Sequence, residues 1–334
     1  MKAIVQTIHG GPEVLHFDET PQPALRPHDL LVRVRAASVN PVDAKVRAGG
    51  AASAPVASPP LIVGWDAAGV VEAVGAETTL FHPGDEVYCA GDITRQGSYA
   101  ELLAVDERIV GRKPATLSFE EAAAIPLTAL TAWEGLFEQM AIDPLEPPRP
   151  ILIVGGAGGV GAIAVQIAKR VAGLHVVATA SRPESREYAL QMGADAVIDH
   201  SQEYASQVRR LGLSGFDYIF STAHLGNFEE LVSVLNPLGK ICLILSGPEA
   251  KTLDVSGLMG IRGTLTWELM FTRPRLGLEL ERQGQILNRV ADLLDAGAIK
   301  TTMTKLLSWR EVQEAHRQIE TGHSVGKIVL RVDG

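Results

Sequence analysis

Up to about residue 110, apolar and polar positions alternate in short runs, KAIVQTI, DLLVRVRAASV, GVVEAVG, DEVYCA and SYAELLAV, separated by Gly/Pro turns. A period of two sends alternate side chains to one buried face, so these runs predict strands, and their spacing predicts a partly closed barrel or sandwich. Between them, RAGGAASAPVASPP (47–60) has little apolar periodicity and predicts an exposed loop that can serve as a lid. From Leu117 to about Met140 the pattern is helical, and Ser118 followed by Glu121 has the spacing of a capping box. EPPRP (146–150) then ends any helix, because proline lacks an N–H and restricts the residue before it.

Beyond that break, strand and helix patterns alternate: ILIV, a helix to Ala172, HVVAT, a helix from about Glu184, AVI, a helix near Tyr204 to Leu211, YIF, a helix near Phe228 to Leu235, and KICLIL. This order predicts a parallel, doubly wound sheet. RGTLTWELM adds a strand, followed by a long helix over about Leu278 to Leu294, a shorter one from Trp309 and a last strand, GKIVLRV.

A length of 334 residues exceeds what one hydrophobic core usually supports and predicts two domains. The hydrophobic share of 46% and charged share of 21% are those of an ordinary globular chain. A formal net charge of -9, without a compensating Lys/Arg run, would repel a phosphate backbone and argues against nucleic acid as a partner. The chain opens directly on a strand pattern and contains no 18-residue apolar segment, so the expectation is a cytoplasmic protein with no membrane partner. Cys89 and Cys242 are too few for a disulfide framework or a multi-cysteine zinc lobe.

The first chemical signal is GGAGGVG (155–161), in which Gly156, Ala157, Gly158, Gly159, Val160 and Gly161 have the G-x-G-x-x-G spacing. It follows an apolar strand and opens the helix AIAVQIAKRVA, the context in which glycines let the backbone approach a pyrophosphate at a helix N-terminus. About 20 residues later, where an NAD site carries an acid for the ribose hydroxyl, the chain reads Thr179-Ala180-Ser181-Arg182. Ser181 and Arg182, with Ser185 and Arg186 one helical turn on, can donate to a 2′-phosphate, which favours NADPH. The plainer alternative is that Ser181 caps the next helix and the arginines are solvated.

SVNPVDAKVRAG, GWDAAGVVEAVG, PGDEV, GSYAELL, IPLTALTAW and GGAGGVG stand in an order and spacing that resemble the medium-chain dehydrogenase/reductase superfamily. The likeness is strongest to its zinc-free quinone oxidoreductase branch, the ζ-crystallin-like proteins. The resemblance covers nearly the whole chain. It implies an α/β protein with a discontinuous GroES-like, β-rich catalytic domain (1–127 and 271–334), a Rossmann domain (128–270) and a substrate cleft at their junction. Zinc-bearing members hold the metal with a Cys, a His-Glu pair and a second Cys or Asp. The matching positions here are Asn40, Trp65-Asp66, and Pro126 or Leu127, without thiolate or imidazole. Asp66 then reads as scaffolding, or alternatively as an acid whose pKa burial has raised. Trp65 reads as a cleft wall or as core.

The resemblance also implies Asn40 near the nicotinamide ribose and the acceptor (its alternative is a turn residue before Pro41), Thr131 near the nicotinamide, Gly156 to Val160 on the pyrophosphate, and Ser246-Gly247 beside the nicotinamide half. Lys45 replaces a tyrosine usual in the branch and is either a donor to the acceptor oxygen or a rim residue. TWELMFTRP (266–274) departs from the branch, so Trp267, Met270 and Phe271 are open between a cleft wall, a dimer edge and packing. The implied activity is metal-independent, NADPH-dependent hydride transfer to a quinone or an α,β-unsaturated carbonyl. Its alternatives are a zinc-type alcohol dehydrogenase and an NADPH-binding sensor or structural protein. An edge strand near Thr264 to Trp267 suggests a homodimer.

Overall fold

A computed structural model describes residues 1–50, 60–245 and 247–333, without the side chains of residues 227, 248 and 249. Most of the 47–60 loop therefore lies outside the described residues, as does Ser246. The chain divides into two units, Met1–Leu130 with Phe271–Gly334, and Thr131–Met270.

In the first unit, β1 (Lys2–Val5) pairs with β2 (His16–Glu19). The main sheet begins with β3 (Asp29–Ser38), followed by α1 (Pro41–Arg47), β4 (Asp66–Val74), β5 (Glu86–Cys89), β6 (Leu102–Asp106) and β7 (Val110–Arg112). Leu30, Val32 and Val34 alternate inward along β3 and meet Ala67 and Val71 of β4, giving the GroES-like domain its core. The helix expected over 117–140 is three pieces: α2 (Phe119–Ala123), α3 (Pro126–Trp133) and a π-helical turn at Glu134–Gln139. Pro126 accounts for the first break, since it disfavours helical backbone at Ile125. The Ser118–Glu121 capping box is present, with Glu121 N–H donating to Ser118 Oγ at 3.2 Å.

The second unit is a Rossmann sheet. Its strands are β8 (Pro150–Val154), β9 (His175–Thr179), β10 (Ala196–Ile198), β11 (Phe216–Ser221), β12 (Leu235–Leu243) and β13 (Thr264–Trp267). They lie in the order β10-β9-β8-β11-β12-β13, all parallel. The connections are α4 (Gly159–Arg170), α5 (Pro183–Gln191), α6 (Tyr204–Arg210), α7 (Phe228–Ser233) and α8 (Ser256–Ile261). The strand order reverses beside β8, so the glycine turn between β8 and α4 sits at the switch point where such sheets bind nucleotides.

The chain then returns to the first unit through α9 (Thr272–Leu276), α10 (Glu281–Asp295), β14 (Met303–Ser308), α11 (Val312–Glu320) and β15 (Lys327–Arg331). There the sheet order is β14-β15-β3-β4-β5-β7, with β6 also paired to β3. Because Val329 pairs with Ser38 and Ser38 with Asp66, the start of β15, the end of β3 and the start of β4 come together. Among the described residues no helix is long and apolar enough to cross a membrane.

Candidate active site

The glycine turn has the shape a pyrophosphate requires. Gly155 adopts φ +76°, and its N–H is held by Thr179 Oγ1 at 3.0 Å. A Cβ on Gly161 would collide with the Gly155 carbonyl, and one on Gly156 would come within 2.6 Å of the Ala178 methyl. Both glycines thus permit α4 to start tight against the sheet. No side chain caps α4 at Gly158, which leaves its first-turn N–H groups and the helix dipole for an anion. Ala157 is buried, and Gly158, Gly159 and Val160 are half-buried. The residues present fit a dinucleotide.

At the end of β9, Ser181 is exposed and Arg182 half-buried. Arg182 is the N-cap of α5, and its carbonyl accepts from Ser185 Oγ at 2.9 Å. Arg186, expected at a 2′-phosphate, donates to the carbonyls of Ala180 just after β9 (3.2 Å) and Val197 within β10 (3.0 Å). A carboxylate from the turn after β10 stands in the same surroundings. Ser181 and Arg186 share a polar concavity with Asp199, Gln202, Gln207 and Arg210. The Asp199 carboxylate is occupied within its own turn, by Ser201 N–H (2.9 Å), Ser201 Oγ (2.7 Å) and Gln202 Nε2 (3.2 Å). Those Ser201 bonds hold it below the usual carboxylate range. Of the residues assigned to the nicotinamide half, Thr131 is buried in α3 and Gly247 is half-buried after β12.

The first unit contains a second polar centre, assembled by the strand ends. Asn40 is the N-cap of α1. Its backbone N–H donates to Asp43 Oδ2 at 2.8 Å, and Asp43 N–H returns to the Asn40 carbonyl at 3.0 Å. The Asn40 side chain donates from Nδ2 to Asp66 Oδ2 at 2.8 Å and accepts at Oδ1 from Lys327 Nζ at 2.5 Å. Asp66 Oδ2 also receives Ser38 Oγ (2.6 Å) and Lys327 Nζ (3.3 Å), while Oδ1 receives the Leu127 N–H (2.7 Å) at the first turn of α3. Asn40, Asp66 and Lys327 are all buried. Asn40, expected near the nicotinamide ribose and the acceptor, has its amide engaged at both ends by internal partners. For Asp66 the scaffolding reading is the one its four donors favour.

A one-way hydrogen-bond chain reaches Asp43 from the other side. Arg47 Nη1 lies 2.9 Å from His316 Nδ1, and guanidinium can only donate, so the imidazole proton is on Nε2. Nε2 faces Tyr99 Oη at 3.3 Å, and the Tyr99 hydroxyl donates to Asp43 Oδ2 at 2.8 Å. Arg47 also pairs with Glu320. Burial pushes Asp43 up to about 7, against the opposing pull of its hydrogen bonds from Asn40 and Tyr99. Burial and the neighbouring Arg47 push His316 down to about 3. Burial lowers Lys327 too, with Asp66 and Asp43 opposing.

Lys45, on α1, is exposed, and its ammonium has no hydrogen-bond or ion-pair partner among the described residues. Trp65 is 1% exposed, bonded through Nε1 to the Asp92 carbonyl (3.1 Å) and set edge-on to Phe271 with ring centres 6.0 Å apart. It is core. Met270 and Phe271 are buried, whereas Trp267 on β13 is 43% exposed.

Sequence reasoning missed Lys327, His316, Arg47, Tyr99 and Ser38. Only His316 left a local signal, as a lone imidazole on the apolar face of a helix that also carries Val312 and Ala315.

The donor set does not fit zinc. Asn40 and Asp66 are saturated, Trp65 offers a bonded indole N–H, and Pro126 and Leu127 have no ligating side chain. Among the described residues no three His, Cys, Asp or Glu side chains converge as a metal would need.

A GroES-like domain with a buried polar centre and a Rossmann domain with a glycine cradle, in one chain, define the nucleotide-dependent dehydrogenase/reductase class. Two family models match, the alcohol dehydrogenase GroES-like domain at residues 26–115 and the zinc-binding dehydrogenase model at 192–330. A zinc-type alcohol dehydrogenase-like protein of Staphylococcus aureus (strain MSSA476) is 38% identical, with 94% of each chain covered. The 2-methylene-furan-3-one reductase of Solanum lycopersicum is 32% identical over 99% of this chain and 79% of its own.

Among solved structures, a Rhizobium etli CFN 42 protein named for zinc-dependent alcohol dehydrogenase superimposes with TM-score 0.94 and 44% identity, covering 100% of this chain and 98% of that one. The quinone oxidoreductase of Coxiella burnetii gives 0.84 and 26%, covering 100% and 99%. A mycobacterial protein solved in complex with NADPH gives 0.85 and 29%, covering 99% and 100%. The chain belongs to the medium-chain dehydrogenase/reductase superfamily and is an oxidoreductase of that family.

Proposed function

We propose that the protein is an NADPH-dependent reductase that acts on quinones or α,β-unsaturated carbonyls without a metal ion. The observation that carries this reading is the engagement of Asn40 and Asp66 by internal hydrogen-bond partners, Lys327 among them, at the positions where a metal would need ligands. The names of the tomato reductase and the Coxiella oxidoreductase, and the mycobacterial NADPH complex, point the same way.

NADPH supplies a hydride when bound. The backbone from Gly156 to Gly161 and the N-terminus of α4 would hold its pyrophosphate, Ser181 and Arg182 its 2′-phosphate with Arg186 supporting that turn, and Thr131, Ser246 and Gly247 its nicotinamide half. Negative charge then builds on the acceptor oxygen, and Lys45, whose ammonium is unengaged, stabilises it. The edge strand β13, with Trp267 exposed at its end and Leu269 exposed just beyond it, is the surface through which two copies pair.

Oxidation of NADPH and NADH is measured against a panel of quinones, enones and alcohols, before and after chelation and with elemental analysis for zinc. Acceptor-dependent NADPH oxidation that survives chelation is the expected result. Alcohol turnover lost together with stoichiometric zinc would overturn the reading. Tight NADPH binding without turnover on any acceptor would replace it with a sensor or structural role.

A further inference from the structure

Lys327 is the first residue of β15, and continuing the pairing of Val329 with Ser38 sets it across from Asn40. Its ammonium is buried against three acceptors, the Val39 carbonyl (2.9 Å), Asn40 Oδ1 (2.5 Å) and Asp66 Oδ2 (3.3 Å). An ammonium has three N–H groups, so none is left for a ligand. Asn40 closes the triangle by donating from Nδ2 to Asp66 Oδ2 at 2.8 Å. This fixes the amide: an ammonium only donates and a carboxylate only accepts, so turning the Asn40 side chain over would break both bonds and oppose like groups.

We propose that the Lys327 ammonium is the resident cation of this centre, balancing the buried Asp66 carboxylate and orienting the Asn40 amide, two tasks that a bound metal ion would otherwise perform there. Ser38 and Leu127 donate to Asp66 as neutral groups and do not offset its charge. Lys327 makes the only ion pair with Asp66 among the described residues. A buried carboxylate without such a partner is strongly unfavourable. Asn40 is the backbone N-cap of α1, which carries Lys45, so the held amide fixes the residue from which the helix presenting the exposed ammonium starts. Lys327 is accordingly a positioning residue.

The inference rests on the metal-free reading above, and zinc analysis of the wild type tests that reading on its own. The inference itself is tested by denaturant unfolding of wild type, Lys327→Met, Asp66→Asn and the double variant, with turnover and NADPH titration of each. Each single change should shift the folding equilibrium by on the order of 100- to 1000-fold, since it leaves one buried charge unpaired. The double variant should recover to within about tenfold of wild type, because no charge is stranded. Its kcat should nevertheless stay at least about tenfold down, with NADPH affinity within about twofold, because Asn40 is no longer held. If Lys327→Met does not fold, folding of the double variant supports the charge balance equally. Additive losses in the two single variants would overturn the charge balance, and a double variant with wild-type stability and wild-type turnover would overturn the orienting role.

Discussion

Replacing Asp43 by Asn and His316 by Gln, one at a time, should expose two opposing pH dependences that the wild type hides. Asp43 is raised from 3.8 to about 7, so between those values the folded chain holds a proton that the unfolded chain has released, and raising the pH through that window lowers stability. His316 is lowered from 6.5 to about 3, so in its window the unfolded chain holds a proton that the folded chain refuses, and lowering the pH costs stability. A group that titrates in one state only contributes about 1.4 kcal/mol per pH unit. The full windows are thus worth at most roughly 4 kcal/mol for Asp43 and roughly 5 for His316, on the order of magnitude these buried groups allow.

The windows overlap from 3.8 to 6.5, where the two slopes cancel in the wild type. Urea unfolding at about pH 4.5 and about pH 6.5 reads the difference of each variant from wild type, which removes the background of all other titrating groups. Relative to wild type, Asp43→Asn should lose roughly 3 kcal/mol on acidification across those two units, and His316→Gln should gain a similar amount. The Asn retains an acceptor for the Asn40 N–H and the Tyr99 hydroxyl, and the Gln retains a donor and an acceptor, so neither effect comes from packing alone. Parallel stability curves for the three proteins would refute the assignment of a protonated Asp43 and a neutral His316 at mild acidity.

Three further outcomes concern the nucleotide and the acceptor. Arg182→Ala should weaken NADPH binding by roughly 10- to 150-fold and leave NADH nearly unaffected, read by fluorescence titration; equal losses for both cofactors would remove Arg182 from 2′-phosphate recognition. Gly161→Ala forces a methyl onto the Gly155 carbonyl, so unfolding should show a loss of about 1 to 3 kcal/mol, with NADPH affinity down at least about tenfold. Lys45→Met keeps the apolar stem and removes the charge, which should lower single-turnover NADPH oxidation by about 10- to 1000-fold at unchanged NADPH affinity. A rate within about twofold of wild type would leave Lys45 as a rim residue.

What could be read from the sequence divides along contact range. The Rossmann sheet was legible because its strands and the helices α4 to α7 declare themselves in their own runs of residues, although α8 was missed, and the glycine cradle because its glycines lie within seven consecutive positions. α1 was missed, since NPVDAKVR is too short to show a helical period, and β14 was missed because TTMTKLLS has no apolar alternation. The buried centre was out of reach for a different reason. Lys327 is 287 residues from Asn40, and His316 is 269 from Arg47, so each bond depends on a strand register and a helix docking that no local window encodes.

A lysine at the head of GKIVLRV looks, in one dimension, like a strand-end charge in water. It becomes an internal cation only because β15 pairs antiparallel with β3 and Ser38 pairs with Asp66, setting Lys327 at the strand end that carries Asn40 and Asp66. The same register ties Asn40 and Asp66, at the positions where relatives carry metal ligands, to each other and to Lys327. Those positions are bound into a closed set of internal hydrogen bonds, and a side chain whose donors and acceptors are used has little left to offer a substrate. On the proposed function, chemistry in this domain comes from a group the fold leaves unengaged. Lys45, on the helix that Asn40 caps, is such a group, so the buried triangle and the exposed ammonium are two parts of one arrangement.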